Sequence, residues 1–182
     1  MRKTAFIDRD GVINQEVDYL HEVEKTVLIP GVAAAIRKLN EAGVAAVVIT
    51  NQAGVAKGYY PESDIAAVHQ RIRELLAAEG AFLDGFYYCP HHENFTGKCE
   101  CRKPAPGMLL RAAEEMDLDC SVSCMIGDRL SDVAAGHNAG CSRCFLVRTG
   151  YGEKVIAANP VLPDYCEIAD DLLDAVNRFL GM

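Results

Sequence analysis

Short, nearly continuous apolar runs alternate along the chain with stretches whose apolar residues recur at helical spacing. Residues 4–7 and 44–49 read as buried strands, and 84–88, 122–126 and 143–147 as further strands. Residues 31–42 read as a helix with Val32, Ile36 and Leu39 on one face and Gly43 just beyond its end. Helical spacing also predicts 62–79, with Pro61 at its start, 105–117, with Pro106 early, 130–139, and a closing helix over 168–180. Such alternation predicts an α/β fold: a mostly parallel sheet, with helices on both faces. In sheets of this kind ligands bind beyond the carboxyl ends of the strands. The least core-like residues follow those ends: Asp8 and Asp10 after the first strand, Thr50 and Asn51 after the second, Asp128 after the 122–126 run. No internal repeat, low-complexity tract or linker interrupts the pattern, so residues 1–182 read as a single domain.

Charge narrows the function classes. A net charge of −8 argues against broad binding to nucleic acid or to an anionic membrane surface. An anionic substrate stays open, because a few basic residues can focus a local positive field. No run approaches the roughly 20 apolar residues that span a bilayer. The N-terminus runs straight into the strand-like Thr4-Ala5-Phe6-Ile7 without the apolar core of a signal peptide, so the cytoplasm is the expected address. No apolar patch stands out, and a monomer is expected. Eight cysteines in a reducing compartment point to metal ligation or plain burial, not to disulfides.

Asp8 and Asp10 stand two apart, so an extended backbone sends both carboxylates to one side. Gly11 then lets the chain turn sharply. Alone, an Asp-Gly turn with solvated acids accounts for the pair equally well. Gly127-Asp128-Arg129 after another strand, with Asp132 one helical turn later, adds acids at an equivalent strand end. Separated carboxylates gathered at strand ends suit a hard cation such as magnesium. Asp132 reads as a support of its helix turn in preference to a ligand.

A second metal is suggested by Cys89-Pro90-His91-His92 followed by Cys99-Glu100-Cys101. Four soft ligands in one polar loop suit tetrahedral zinc with no open position, hence a structural ion that staples the loop. Either His91 or His92 could serve as the nitrogen ligand. Cys120, Cys124, Cys141 and Cys144 read as packing residues, and Cys166 has no evident partner.

Asp8-Arg9-Asp10-Gly11, Thr50-Asn51, Arg102-Lys103-Pro104 and Gly127-Asp128-Arg129-Leu130-Ser131-Asp132 together resemble the four ordered motifs of the haloacid dehalogenase-like phosphatases. The resemblance implies a three-layer Rossmann-like fold with no separate cap domain. It implies Asp8 as nucleophile and Asp10 as general acid and base. Thr50 and Lys103 would hold the phosphoryl group. Magnesium would be held by the carboxylates of Asp8 and Asp128 and the carbonyl of Asp10, with the carbonyl of Arg129 in reach.

The loop directly before Arg102 narrows this further. With Asp8 to Asn14, Tyr19-Leu20 and Thr50-Asn51-Gln52-Ala53-Gly54, it resembles the heptose-bisphosphate phosphatases and the related histidinol-phosphate phosphatases. That resemblance favours His91 as the zinc ligand beside Cys89, Cys99 and Cys101, leaving His92 for solvent or substrate. It implies removal of the 7-phosphate of D-glycero-D-manno-heptose 1,7-bisphosphate, toward nucleotide-activated heptose for surface glycans. Arg102 would take the second phosphate. Glu16, Val17, Asp18 and Tyr19 in the flap, Asn51, Gln52 and Ala53, and Arg129 would contact the sugar or its phosphates. Arg9 and Lys57 are further candidates for attracting the anion. Hydrolysis of histidinol phosphate or of a wider range of small sugar phosphates is the enzymatic alternative. A zinc-stabilised, non-catalytic binding module is the alternative of another class.

Overall fold

The centre of the fold is β1 (Thr4–Ile7), whose four residues are all buried. The computed structural model describes all residues, Met1–Met182. β2 (Ala45–Asn51) and β4 (Cys124–Gly127) flank β1, β3 (Gly85–Cys89) lies outside β2, and β5 (Arg143–Val147) and β6 (Cys166–Ala169) continue beyond β4. The order is β3-β2-β1-β4-β5-β6, and every pairing is parallel.

Strand periodicity divides the apolar residues between two cores. Ala5, Ile7, Val48, Ile126 and Phe145 point to one, where α1 (Val32–Glu41), α2 (Glu62–Ala78) and α7 (Leu172–Leu180) cover the sheet. Phe6, Val47, Ile49, Met125 and Leu146 point to the other, under α4 (Gly107–Met116), α5 (Leu130–Asn138) and α6 (Gly152–Ala158). Ile36 and Leu39 of α1 are fully buried, each contributing roughly 1.5–3 kcal/mol. Charging either position would detach α1 from the sheet. A short α3 (Glu93–Thr96) sits in the Cys–His loop. No helix is both long and apolar enough to cross a membrane.

Three expectations shift. The run 122–126 begins as a 3-10 turn, Cys120–Val122, in which the Asp119 side chain accepts the Ser121 amide at 2.9 Å, and only then becomes β4. The predicted helix 168–180 is an edge strand followed by α7, because Asp171 caps the helix by accepting the Asp174 amide at 2.8 Å. Helix α6 was hidden by its shortness. Cys124 and Cys144, read as packing residues, are buried in opposite cores.

The chain leaves β1 for β2 on one side and returns to β4 on the other. The crevice between β1 and β4 is therefore the topological switch point. Asp8 follows one of these strands and Asp128 the other.

Candidate active site

The Asp8 amide donates to Ile126 O at 2.9 Å, carrying the β1–β4 pairing one residue past the strand. Gly11, at φ 80°, turns the chain next to Asp128; a Cβ there would lie 2.3 Å from Asp128 Oδ2 and 2.9 Å from Gly150 Cα. The close approach of three segments thus depends on the missing side chain.

Lys103 is 4% exposed, and its ammonium spends its three protons on Asp8 Oδ1 at 2.8 Å, Asp132 Oδ1 at 2.7 Å and Ile49 O at 2.8 Å. Burial alone would discharge it, but Asp132 and Asp8 outweigh this and push it up to about 12. Asp8 Oδ1 also accepts the Arg9 amide at 2.8 Å, which leaves Oδ2 for the cavity. Burial, with Asp132 and Asp128, drives the Asp8 carboxyl well above its ordinary range despite the pull of Lys103. Burial likewise lifts Asp128 to about 6, against the Tyr151 amide that donates to its Oδ2 at 2.8 Å.

Three buried carboxylates thus face one lysine, and oxygens of Asp8, Asp128 and Asp132 lie within 4.8 Å of one another. Asp128 Oδ1 is buried with no hydrogen-bond partner. An excess of negative charge with an orphaned oxygen is the environment a divalent cation satisfies. The Asp10 carbonyl accepts no backbone hydrogen bond and is also available. Asp132 is not: its Oδ1 is held by Lys103 and its Oδ2 accepts the Arg129 amide at 2.9 Å, capping α5. The Arg129 carbonyl accepts the amides of Asp132 at 3.0 Å and Val133 at 3.4 Å, so it is engaged in the same helix turn.

Asp10 is the hub of a second network. Arg9, which is fully buried, forks onto both its oxygens at 3.0 Å. Asn14 donates to Oδ1 and Gln52 to Oδ2, each at 3.0 Å. Arg9 is therefore aimed at Asp10 and the Leu20 carbonyl, and it is not among the residues that line the cavity, where it was a candidate for attracting the anion. Asn51 holds the backbone of Lys103 from both sides, accepting its amide at 3.1 Å and donating to its carbonyl at 3.2 Å.

A cavity of about 470 Å³ opens over Asp8. Asp10, Thr50, Asn51, Gln52, Ala53, Arg102, Lys103 and Arg129 line it, as do Glu16, Val17, Asp18 and Tyr19 of the flap. Lys57 joins them, donating to the Tyr19 hydroxyl at 2.5 Å. Burial and the nearby Asp10 and Asp128 raise the Glu16 carboxyl to about 7. Tyr60, Ser131 and Tyr151 also line the cavity and were not anticipated. Tyr151 lies under the Arg129 guanidinium, 3.9 Å from its ring centroid, and its hydroxyl meets Asp18 at 3.3 Å. Its position follows from α6, so the missed helix explains the missed residue.

The Cys–His loop borders the same cavity through His92 and Arg102. Sγ of Cys89 lies 2.9 Å from Cys101 and 3.6 Å from Cys99, and His91 Nδ1 lies 3.4 Å from Cys101. These four converge within 4.8 Å, a donor set and spacing that fit tetrahedral zinc. His92 instead caps α3, accepting the Asn94 amide at 3.3 Å. Arg102 donates to the His91 carbonyl at 3.2 Å, which ties the loop to the site.

A HAD-hydrolase-like family model matches residues 100–175. The D-glycero-D-manno-heptose-1,7-bisphosphate 7-phosphatase of Thermosynechococcus vestitus is 45% identical, with 96% of this chain and 94% of that protein aligned. The D-glycero-beta-D-manno-heptose-1,7-bisphosphate 7-phosphatase of Escherichia coli is 40% identical, over 94% and 88% respectively. The crystal structure of the D,D-heptose 1,7-bisphosphate phosphatase of B. bronchiseptica, complexed with magnesium and phosphate, superimposes with a TM-score of 0.90 at 34% identity, covering 98% of each chain.

Proposed function

The chain belongs to the D-glycero-D-manno-heptose 1,7-bisphosphate 7-phosphatases, within the haloacid dehalogenase-like hydrolases, and on that premise we propose that it removes the 7-phosphate of the heptose bisphosphate with Asp8 as nucleophile. The observation that carries the assignment is the Asp8 carboxylate at the floor of the cavity, 2.8 Å from the buried Lys103 ammonium.

Asp8 Oδ2 attacks phosphorus while the bond from phosphorus to the sugar oxygen breaks. Asp10 gives the departing alkoxide its proton. The aspartyl-phosphate on Asp8 is then opened by water, whose proton Asp10 takes back; Asp8 is regenerated and phosphate leaves. Thr50 offers its hydroxyl to a phosphoryl oxygen, and Lys103 holds positive charge beside the transferred group. Asp8, Asp128 and the Asp10 carbonyl would hold magnesium. When bound, that ion neutralises charge on the phosphoryl oxygens and on the nucleophile. Most of the catalysis is positioning and charge, which suits a site built on rigid strand ends.

Arg102 is assigned to the second phosphate, and Arg129 adds a further cation on the cavity wall. Glu16, Val17, Asp18, Tyr19 and Ala53 are assigned to the heptose. Cys89, His91, Cys99 and Cys101 are assigned to a structural zinc. The same reading has the enzyme act as a cytoplasmic monomer on a small phosphorylated sugar, in the supply of nucleotide-activated heptose for surface glycans.

The test is a comparison of kcat/KM for α- and β-heptose 1,7-bisphosphate against histidinol phosphate. A preference for the bisphosphate of roughly 100-fold or more is expected if Arg102 reads the second phosphate. A preference for histidinol phosphate would overturn the substrate assignment.

A further inference from the structure

Gln52 was expected to touch substrate, yet it is 3% exposed and its side chain is fully engaged. Nε2 donates one proton to Asp10 Oδ2 at 3.0 Å and the other to Thr50 Oγ1 at 2.8 Å. Oε1 accepts the Tyr60 hydroxyl at 2.8 Å. The amide is oriented with Nε2 toward Asp10, which also accepts from Arg9 and Asn14, and with Oε1 toward the Tyr60 hydroxyl.

The direction of these bonds has a chemical effect. Since Thr50 Oγ1 accepts from Gln52, the hydroxyl's own proton is left for the cavity. Since Asp10 Oδ2 accepts from the same nitrogen, the carboxylate is fixed relative to Thr50. On the assignment of Asp10 and Thr50 made above, we infer that Gln52 is a positioning residue that, held by Tyr60, aims the Thr50 proton at the phosphoryl group and orients Asp10 for proton transfer.

Tyr60 is itself locked. Its ring stacks on His21 of the flap, with centroids 5.0 Å apart and planes 11° from parallel. Gly54 makes room for it: a Cβ at Gly54 would lie 2.1 Å from the Tyr60 ring. Burial pushes the Tyr60 phenol up to about 12, so it stays a donor at working pH. Glutamate at position 52 would lose both donors and place an anion against Asp10. Leucine would keep the approximate volume and lose every bond.

The experiment measures kcat and KM of Gln52→Leu, Gln52→Glu and Tyr60→Phe on the heptose bisphosphate and on p-nitrophenyl phosphate, whose leaving group needs little protonation. For Gln52→Leu, kcat on the bisphosphate should fall roughly 10–100-fold with KM within about threefold of wild type. Gln52→Glu should be at least as impaired. Tyr60→Phe should lose about 3–10-fold in kcat, as one neutral hydrogen bond is removed at one remove. All three losses should be smaller on p-nitrophenyl phosphate. A raised KM with unchanged kcat in Gln52→Leu would make Gln52 a substrate contact and overturn the inference. Wild-type kcat in Tyr60→Phe would overturn it too, even if Gln52→Leu did not fold. Asp10→Asn and Thr50→Val serve as controls: a large loss in both with no loss in the Gln52 variants sinks the positioning role alone. Full activity in Asp10→Asn sinks the underlying assignment.

Discussion

The carboxylate site and the Cys–His loop are both donor sets that fit a metal ion beside one cavity, but they are assembled in opposite ways. Asp8 and Asp128 come from far apart in the chain and are brought together by β1 and β4 in register, while Asn51 at the end of β2 holds the Lys103 backbone beside them. Cys89 ends β3, and His91, Cys99 and Cys101 lie in the loop that follows it, whose residues from Pro90 to Arg102 are all partly or largely exposed. In the first case the fold makes the site, and the site costs the fold stability, since its charges are buried in excess. In the second case the proposed zinc would make the local fold, since it would order a loop with so little buried apolar surface. Function and stability should therefore separate when each is broken.

The largest effect is expected from Asp8→Asn. Turnover should fall by roughly 10³-fold or more, because the nucleophile is gone. The metal-free variant should nevertheless melt higher than wild type, as one carboxylate leaves a buried, like-charged group. A calorimetric midpoint below that of wild type would contradict the idea that the site is costly.

Cys99→Ala combined with Cys101→Ala should do the reverse. Elemental analysis should show zinc lost, and the midpoint should drop by roughly 5 °C or more. Activity should fall less than in Asp8→Asn, through the link from the His91 carbonyl to Arg102. Zinc retained at full stoichiometry would mean other ligands. Magnesium withdrawal should, by contrast, stop turnover reversibly without that loss of stability.

A smaller change is expected from Arg102→Ala, about a tenfold rise in KM for the bisphosphate and less for a monophosphate. Equal rises for both would place the second phosphate elsewhere.

The smallest effect at neutral pH concerns His69, buried against Phe86 with Nε2 unpartnered. Burial, then Arg9 and Arg73, lower it from 6.5 to about 3. The unfolded chain therefore binds the extra proton between those values. Stability is complete above about pH 6.5 and is lost as pH falls toward 3, by up to about 1.4 kcal/mol per pH unit. Urea titrations of His69→Gln across this window should show a shallower dependence than wild type; identical slopes would rule His69 out as the cause.

Much of this was legible in the sequence, for a physical reason. Asp8, Asp10, Thr50 and Asp128 sit at the ends of apolar runs, where period and polarity change together, and parallel sheets place all such ends on one edge. The Cys–His cluster was legible because its donors are neighbours in sequence. What escaped depends on tertiary distance. Nothing local says that Arg9 turns inward to Asp10, that Asn51 holds the Lys103 backbone, or that Gln52 spends its amide on Asp10 and Thr50. Tyr151 was lost with the short α6, and the β6–α7 break with an apolar pattern that ran across Asp170-Asp171.

The central claim is that phosphate passes through Asp8. Acid-quenching the enzyme during turnover of the heptose bisphosphate, then mapping the peptides by mass spectrometry, tests it directly. A phosphoryl increment on Asp8, absent from the Asp8→Asn protein and removed by hydroxylamine, is the predicted result. An increment on another residue, or labelling that persists in Asp8→Asn, would contradict it.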